Sequence, residues 1–318
     1  MKPLYKWAGG KNKLINNDYK EFLPSKFTSY CEPFFGAGAM FAWAYNKNPK
    51  ANFLINDVNV NIMDIYRAIK SDYSNFKKEL NILENNYLNA IDPLSSPKDK
   101  DLEAQNKIKG NRKDWKKLYS IKKTRRYYYF MKRDEYAFNY SSLTKTSESA
   151  LLYFLMQTSF NGVWQVNVNT NGRFGTPCGL LKEKNSIYDR ENMDLWHNAL
   201  QRTSIKSGDF SACLSDIKSD TYLFMDPPYR GCFTNYGTKD DDQFQESVIE
   251  FFHKSKNKGA YCMLSNRELG DNFFETRCKN DSIEKFDITY TVGRRKKEID
   301  ENGNDIFTAK KAVEILVY

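Results

Sequence analysis

The sequence predicts an α/β fold in which a doubly wound, largely parallel sheet carries an inserted, mainly helical domain with a β-hairpin. Short apolar runs that end in glycine or an acid alternate with helical patterns, in the order typical of a nucleotide-binding sheet. A long polar stretch interrupts that order between the second apolar run and residue 204. The same stretch holds nearly all of the excess positive charge of the 318-residue chain.

The first part of the chain contains the opening elements of the predicted sheet. A strand, a glycine turn, a helix, a second strand and an acid follow one another, as at the start of a doubly wound sheet. The predicted elements are a helix at 13–23 that ends at Pro24, a strand at 30–35, the turn Gly36-Ala37-Gly38, a helix through Tyr45, a strand at 53–55 that ends at Asn56-Asp57, and a helix at 59–69.

The second part of the chain supplies the remaining strands. Strands are predicted at 204–207, 221–225 and 260–264, with helices near 189–202 and 242–257. Residues 286–292 and 312–318 are predicted to pair as an antiparallel hairpin around a polar loop that contains Gly303.

The region between these two parts is an insertion. Residues 71–149 are polar and helical by propensity, and a nucleotide-binding sheet does not require so long an excursion. We therefore predict a catalytic domain formed by residues 1–66 and 188–318, and an inserted domain formed by residues 67–187.

The formal net charge of +9 is unevenly distributed. Residues 98–133 contain 14 lysines and arginines against 4 acids, a local net charge of 14 − 4 = +10. Aromatic residues such as Trp115 and Tyr119 are interleaved with these charges, a composition that suits a polyanion. A solvated insertion without a ligand is the alternative.

Composition also bears on the compartment. The sequence has no apolar run of about 18 residues, so no membrane span is expected. Six scattered cysteines without Cys-x-x-Cys spacing and two histidines argue against a structural zinc site and for reduced thiols in the cytoplasm.

The stretch Phe224-Met225-Asp226-Pro227-Pro228-Tyr229 is the most informative of the chain. Neither proline can donate a backbone hydrogen bond, so a buried strand ends at Asp226. The strand end then presents a carboxylate, a Pro227 carbonyl without a ladder partner and an aromatic ring. Such a set suits an exocyclic amine on a planar base, and a capped turn with a packed tyrosine is the alternative.

Three further motifs are candidates for binding. Glu32-Pro33-Phe34-Phe35-Gly36-Ala37-Gly38 allows a ligand to approach the backbone, and Asp57, which ends the next strand, is placed to bind a ribose diol. Lys6-Trp7-Ala8-Gly9-Gly10-Lys11 predicts a loop that closes over a ligand such as an adenine or a carboxylate. It lacks the residue spacing of a P-loop. Residues 159–177 predict a polar β-hairpin across an Asn-Gly turn.

These motifs together resemble the Dam-type, α-group DNA adenine-N6 methyltransferases. The resemblance follows that family's motif order and covers essentially the whole chain, with residues 71–125 matching least. It is carried by residues 6–11, 32–38, 56–59, 160–162 and 226–229, and by the closing segment from 293–295 to 314–316.

The resemblance implies a Rossmann-like methyltransferase sheet that binds S-adenosylmethionine, releases S-adenosylhomocysteine and requires no metal. The implied base site is Asp226, Pro227, Pro228 and Tyr229. The implied cofactor site is Trp7, Ala8, Gly9, Lys11, Glu32, Pro33, Phe34, Phe35, Gly36, Gly38, Asp57, Asp209, Phe210 and Asp226.

The resemblance further implies that residues 67–187 recognise the target in double-stranded DNA. The implied DNA-binding residues are Arg125, Arg126, Asn161, Gln165, Asn167 and Arg173. Glutamine pairs with adenine and arginine with guanine, and Dam proteins that modify GATC commonly have arginine where this chain has Gln165. That difference argues against GATC as the recognition site. We expect a monomer or weak dimer in the cytoplasm, bound to the nucleoid when on DNA, without membrane contact.

Other functions remain open from the sequence. An N4-cytosine or RNA-adenine methyltransferase is the nearest alternative, although Asp226 before Pro-Pro-Tyr favours adenine. A catalytically silent DNA-binding module would be expected to have lost Asp226 or Tyr229. The incomplete Gly-x-Gly-x-x-Gly pattern counts against a dinucleotide oxidoreductase. Whether the enzyme is solitary, part of a restriction–modification pair or phage-borne is not encoded.

Overall fold

The computed structural model describes residues 1–7, 11–91, 100–108, 112–179, 186–231, 241–290, 296–299, 305–308 and 310–318. The chain forms two compact units. The first consists of Met1–Gly10, Gly36–Gly38 and Asn59–Gln201, and the second of Lys11–Phe35, Ala39–Val58 and Arg202–Tyr318. The functional domain limits, 1–66 with 188–318 and 67–187, stay a prediction.

The helices and strands follow one another along the chain with these bounds: α1 (Asn12–Asn16), β1 (Ser29–Glu32), α2 (Ala39–Lys47), β2 (Asn52–Ile55), α3 (Val60–Ser71), α4 (Tyr73–Leu88), α5 (Lys100–Gln105), α6 (Trp115–Ile121), α7 (Arg125–Phe138), α8 (Lys145–Thr158), α9 (Arg190–Leu200), β3 (Thr203–Ile205), β4 (Thr221–Met225), α10 (Asp241–Asn257), β5 (Tyr261–Glu268), α11 (Phe273–Arg277), β6 (Ile283–Tyr290), β7 (Lys296–Ile299), β8 (Asp305–Thr308) and β9 (Lys310–Val317). None of the helices in the described ranges is apolar over a length that would cross a membrane.

The second unit is built on a seven-stranded sheet of order β3-β2-β1-β4-β5-β9-β6. The five strands from β3 to β5 are parallel, and β9 runs antiparallel to both β5 and β6. The predicted α/β fold with a largely parallel, doubly wound sheet is confirmed. The predicted antiparallel pairing near the end of the chain is also confirmed, with Phe286 opposite Glu314.

The strand order reverses between β1 and β4, which lie side by side. From β1 the chain continues to β2 on one side, and from β4 it continues to β5 on the other. Open α/β sheets bind ligands outside the carboxyl ends of the strands at such a reversal. Glu32 ends β1 and Asp226 follows β4, so both acids lie at this position.

The core of the second unit explains why the sheet ends where it does. Every residue of β4 is buried, and Leu223 and Met225 belong to the same buried cluster as Cys262 and Leu264 of β5 and Ile315 of β9. Full burial of one such side chain contributes about 1.5–3 kcal/mol. The apolar run therefore stays inside the sheet until Asp226, where the first charge and the prolines end it.

The first unit is helical. The central helix, α8, is buried along most of its length and packs against α3, α4 and α7. Its start is fixed by the hydroxyl of Thr144, which accepts a hydrogen bond from the Ser147 amide. Thr124 caps α7 in the same way through the amide of Tyr127.

Three predicted elements differ from the structure. Strand β1 ends at Glu32 instead of residue 35, because Pro33 cannot donate a hydrogen bond to a strand ladder. Helix α1 ends at Asn16 instead of continuing to residue 23, because the amides of Asp18 and Tyr19 both turn back to the carbonyl of Leu14. The predicted hairpin at 159–177 is not a β-ladder. It reverses at Asn171-Gly172, both with positive φ, but pairs only through the isolated bridges Ser159–Cys178 and Val166–Phe174. The predicted loop at Gly303 lies outside the described residues.

Candidate active site

The carboxylate of Asp226 stands at the exposed end of β4. Its side chain is 23% exposed, and the Nζ atom of Lys11 lies 3.2 Å from its Oδ1 atom. Burial raises the pKa of the Asp226 carboxyl above its ordinary value, and the positive charge of Lys11 opposes that rise. The group is thus an acceptor that is partly open to solvent, with a cation on its protein side.

Lys11 connects Asp226 to a second acid, Glu314 on β9. The Lys11 Nζ atom lies 3.8 Å from Glu314 Oε1 and 4.4 Å from the centre of the Tyr229 ring. Lys11 and Glu314 are only 5% and 3% exposed. Burial raises the pKa of Glu314, as does the charge of Asp226, while Lys11 opposes both. One buried ammonium group therefore lies between two carboxyl groups, the buried Glu314 and the partly exposed Asp226.

Sequence reasoning gave Glu314 no role of its own. The signal was nevertheless present, because Glu314 is a charged residue inside the apolar run Val313-Glu314-Ile315-Leu316-Val317. A buried charge requires a partner of opposite sign. The identity of that partner could not be found from spacing.

The Tyr229 side chain is held by its hydroxyl group. It forms a hydrogen bond of 2.8 Å with Ser265 Oγ on β5, and the hydroxyl of Tyr19 lies 2.9 Å from the same Oγ atom. The Tyr19 hydroxyl also donates to Glu314 Oε2 at 3.5 Å. A continuous chain of polar contacts therefore links the ring of Tyr229 to the acid that shares Lys11 with Asp226.

At the end of β1, Glu32 is turned into the protein. Its Oε2 atom accepts hydrogen bonds from the Tyr30 hydroxyl at 2.6 Å and from the Phe41 amide in the first turn of α2 at 3.1 Å. Burial raises the pKa of Glu32 well above its ordinary value, although the hydrogen bond from Tyr30 lowers it. In this structure Glu32 holds the start of α2 after the glycine turn.

The ends of β1, β2 and β3 are tied together by one buried amide. The Nδ2 atom of Asn56 donates to the carbonyls of Pro33 and Gly208, each at 3.0 Å. The Asn56 carbonyl accepts from the Phe35 amide, also at 3.0 Å. The Oδ1 atom of Asn56 is buried without a hydrogen-bond partner among the described residues. The sequence marks Asn56 as the end of a strand and as part of the 56–59 motif, but its hydrogen bonds could not be predicted from it.

This connection brings several predicted cofactor residues together in the second unit. The rings of Phe34 and Phe210 lie 5.1 Å apart. The carbonyl of Asp57 accepts from the Gly208 amide at 3.0 Å, and the exposed Asp209 caps the short 3-10 helix that begins at Phe210. Six of the predicted cofactor residues therefore lie along the same end of the sheet, namely Pro33, Phe34, Phe35, Asp57, Asp209 and Phe210.

Within the first unit, Trp7 lies against Gly36. A Cβ atom on Gly36, whose φ is +52°, would be 3.1 Å from the Trp7 Nε1 atom. The hydroxyls of Tyr5 and Tyr66 both donate to the Gly36 carbonyl, at 2.8 and 2.9 Å. Gly38 also has a positive φ of 69°. The predicted cofactor residues Ala8 and Gly9 lie outside the described residues.

The loop of residues 159–177, which replaces the predicted hairpin, exposes two of the predicted DNA-binding residues to solvent. Asn161 and Gln165 are exposed, and Asn161 has a φ of 53°. Gly162 beside it has no room for a side chain, since a Cβ atom would lie 2.5 Å from the Lys6 carbonyl oxygen. Asn167 instead faces the loop itself, where its Nδ2 atom donates to the Gly175 carbonyl at 3.5 Å.

The three arginines among the predicted DNA-binding residues form contacts with other residues of the first unit. The Arg173 guanidinium pairs with Glu148 and stacks on the rings of Tyr136 and Tyr140, at 4.2 and 3.8 Å. Arg125 donates to the Leu88 carbonyl at 3.2 Å, and Arg126 donates to Glu103 at 3.3 Å.

The aromatic residues of the basic stretch are largely structural. Trp115, Tyr127, Tyr128 and Tyr129 are buried, and only Tyr119 is half-buried. The interleaving of these aromatic residues with charges therefore reflects packing inside the first unit, and the polyanion contact stays a prediction. Among the described residues of this stretch, the exposed positive charges are those of Lys100, Lys107, Lys116, Lys117 and Lys123.

Comparisons with known proteins show which family the chain belongs to and which proteins it is similar to. A family model described as D12 class N6 adenine-specific DNA methyltransferase matches residues 7–296. The chain is 27% identical to the Type II methyltransferase M.MjaIII of Methanocaldococcus jannaschii, over 93% of this chain and 92% of that protein. It is 24% identical to the Type II methyltransferase M1.LlaDCHI of Lactococcus lactis, over 93% and 90%, and 24% identical to a DNA adenine methylase of Haemophilus influenzae, over 84% and 80%.

Proposed function

The chain belongs to the D12 class N6 adenine-specific DNA methyltransferases, and from that premise we propose that it methylates N6 of an adenine flipped out of duplex DNA, using S-adenosylmethionine. The observation that carries the proposal is the end of β4. There a partly exposed carboxylate, the Pro227 carbonyl and the Tyr229 ring follow one another at the reversal point of the sheet.

The residues at the ends of β1, β2 and β3 fit this cofactor. An adenosine group offers a ribose diol, a flat purine and hydrogen-bond donors. Asp57 supplies a carboxylate for the diol, and Phe34 and Phe210 supply apolar ring surface for the purine. The buried Asn56 Oδ1 atom is an acceptor for which the described part of the chain supplies no donor. When bound, the cofactor supplies an electrophilic methyl group on its sulfonium.

Asp226 and Pro227 would prepare the adenine for attack. The N6 atom is a poor nucleophile because its lone pair is conjugated with the purine ring. Hydrogen bonds from N6–H to the Asp226 carboxylate and the Pro227 carbonyl favour a pyramidal nitrogen and stabilise its developing positive charge. The new N–C bond forms as the S–C bond breaks, and the nitrogen then loses one proton.

Tyr229 would hold the extruded base. Flipping a base out of a duplex costs a few kcal/mol. Stacking on an aromatic ring contributes roughly 1–3 kcal/mol per base, which offsets much of that cost. The hydrogen bond from Tyr229 to Ser265 keeps the ring in place before the base arrives.

The recognition loop would read the bases beside the target. Asn161 and Gln165 are the exposed members of the predicted set. A glutamine binds adenine through N6 and N7, so Gln165 favours an adenine where an arginine would favour guanine. Contact through Arg125, Arg126, Asn167 or Arg173 would require these side chains to leave the partners described above. The exposed lysines of residues 98–133 suit the phosphates, which position a duplex without specifying sequence.

Incubation of the purified chain with labelled S-adenosylmethionine and genomic DNA tests the proposal. Nucleoside analysis is expected to find label in N6-methyladenine, and methylation-aware sequencing to show one recognition sequence. Asp226→Ala should abolish transfer while cofactor binding survives. Asp216→Asn, which changes an exposed acid paired with Lys206 in the same unit, is the matched control. Label in cytosine, or label in the Asp226→Ala reaction, would refute the proposal. Light scattering tests the proposed monomer or weak dimer.

A further inference from the structure

Two buried amide side chains lie behind the strand end that carries Asp226. Gln245 belongs to α10 and Asn266 to β5, and both are fully inaccessible to solvent. Buried amides are costly unless their polar atoms are hydrogen-bonded. The places where these two form hydrogen bonds therefore show what they hold.

Both amides bind the backbone on either side of Tyr229. The Nε2 atom of Gln245 donates to the Pro228 carbonyl at 2.8 Å. The Oδ1 atom of Asn266 accepts from the Arg230 amide at 3.1 Å. The two side chains are joined, since Asn266 Nδ2 donates to Gln245 Oε1 at 2.9 Å. Together they form an amide relay that connects two backbone groups of the same turn.

The far end of the turn is fixed by Arg230. Its guanidinium pairs with Asp242 at 2.6 Å and with Asp271 at 2.5 Å, and it stacks on the ring of Phe273 at 4.1 Å. The turn is thus held in two ways. Its backbone binds the amide relay, and the side chain of Arg230 binds Asp242 of α10 and Asp271 between β5 and α11.

The amide relay determines which carbonyl is left for a ligand. A residue that precedes proline is held in extended conformation, and this applies to Asp226 and to Pro227. Consecutive carbonyls of extended backbone point in different directions, so binding of the Pro228 carbonyl inside the protein turns the Pro227 carbonyl elsewhere. Within the described part of the chain, no hydrogen bond reaches the Pro227 carbonyl.

We propose that Gln245 and Asn266 are positioning residues for methyl transfer, because they set the direction of the Pro227 carbonyl toward the amino group of the target base. The inference rests on the proposed function and adds two residues to it. Neither residue touches the base. They act through the peptide groups of Pro228 and Arg230.

Single-turnover methylation by two variants tests this inference. Gln245→Met removes the donor to Pro228 with little change in volume, and Asn266→Asp keeps the acceptor for Arg230 while losing the donor to Gln245. A displacement of about 1 Å can lower a rate by about 100-fold, so we expect the transfer rate to fall by about 10- to 100-fold. The dissociation constants for cofactor and DNA should change by less than about twofold, since the cofactor residues are held by Asn56 instead.

Asn48→Ala is the matched control, because Asn48 also donates from its amide to a backbone carbonyl, that of Phe27 at 2.8 Å, in the same unit. Its transfer rate should equal that of the wild type even if its melting temperature falls. If Gln245→Met does not fold, Asn266→Asp carries the test.

The outcomes separate this inference from the proposed function. Wild-type label outside adenine would refute the proposed function. Wild-type label in adenine, with both variants transferring at the wild-type rate, would refute the amide relay alone. A loss of cofactor affinity as large as the loss of rate would also refute it, since that pattern indicates general loss of the fold.

Discussion

Replacement of Lys11 by methionine tests the electrostatics of the site most directly. The Lys11 Nζ atom lies 3.2 Å from Asp226 Oδ1, in a pair that is mostly shielded from water. At an effective dielectric constant of about 20 the gross attraction at that distance is about 5 kcal/mol. Water reaches the partly exposed Asp226, so the net effect is smaller. An opposite charge this close typically lowers the pKa of a carboxyl by about 1–3.

The sign of the effect follows from the cause. Burial already raises the pKa of Asp226, and Lys11 is the main group that opposes the rise. Without Lys11 the carboxyl therefore holds its proton to higher pH, and a protonated Asp226 is a weaker acceptor for N6–H. We expect the acid limb of the transfer rate to move upward by at least about one pH unit in Lys11→Met.

Single-turnover rates from pH 5 to pH 9, at saturating cofactor and DNA, measure this shift. Lys11→Arg keeps the positive charge and is the matched control, so its acid limb should stay close to that of the wild type. An equal loss of rate in Lys11→Met at every pH would contradict this prediction, because it would show that Lys11 does not set the protonation of Asp226.

Four further changes have defined outcomes. Burial raises the pKa of Glu32 above its unfolded value, so ionisation of Glu32 lowers the stability of the fold as pH rises. The melting temperature of Glu32→Gln should therefore rise relative to that of the wild type from pH 5 to pH 8. A difference in melting temperature that stays constant over this range would contradict this prediction. Asp57→Asn should weaken cofactor binding by at least about tenfold in calorimetry, with unfolding unchanged. Gln165→Arg should move the preference at one flanking position from adenine to guanine in methylation-aware sequencing. Arg173→Ala should lower the melting temperature by several degrees without changing the DNA recognition sequence, because Arg173 pairs with Glu148. A changed DNA recognition sequence would show instead that Arg173 contacts a base.

The strand ends could be predicted because their signals are local. Pro227 and Pro228 cannot continue a ladder, and the apolar run before Asp226 matches β4 residue for residue. Gly36 likewise marks a turn with positive φ. These features depend on a few consecutive residues, so a single sequence is sufficient to find them.

The partners of buried charges could not be predicted, because they are distant in sequence. Tyr19 and Glu314 form a hydrogen bond across 295 positions, and no spacing rule connects them. The partner of Arg173 could not be predicted either, since its pairing with Glu148 depends on how the loop of residues 159–177 lies against α7 and α8. The aromatic residues near Arg125 are a third case, because burial in a helical unit and exposure to DNA require the same composition.

The position of β9 explains why the site around Asp226 is more than a motif on one strand. Because β9 inserts antiparallel between β5 and β6, Glu314 lies in the sheet opposite Arg267 and within reach of Lys11. Lys11 precedes α1, and Ser265 lies on β5. Asp226 and Tyr229 thus depend on three segments that are far apart in sequence, and each contributes a buried polar group. Since an unpaired buried charge is costly, this site forms only when the whole sheet has formed. A chain in which Asp226-Pro227-Pro228-Tyr229 is intact but β9 is displaced is therefore expected not to bind the base. It is also expected not to keep Asp226 in the protonation state that methyl transfer requires.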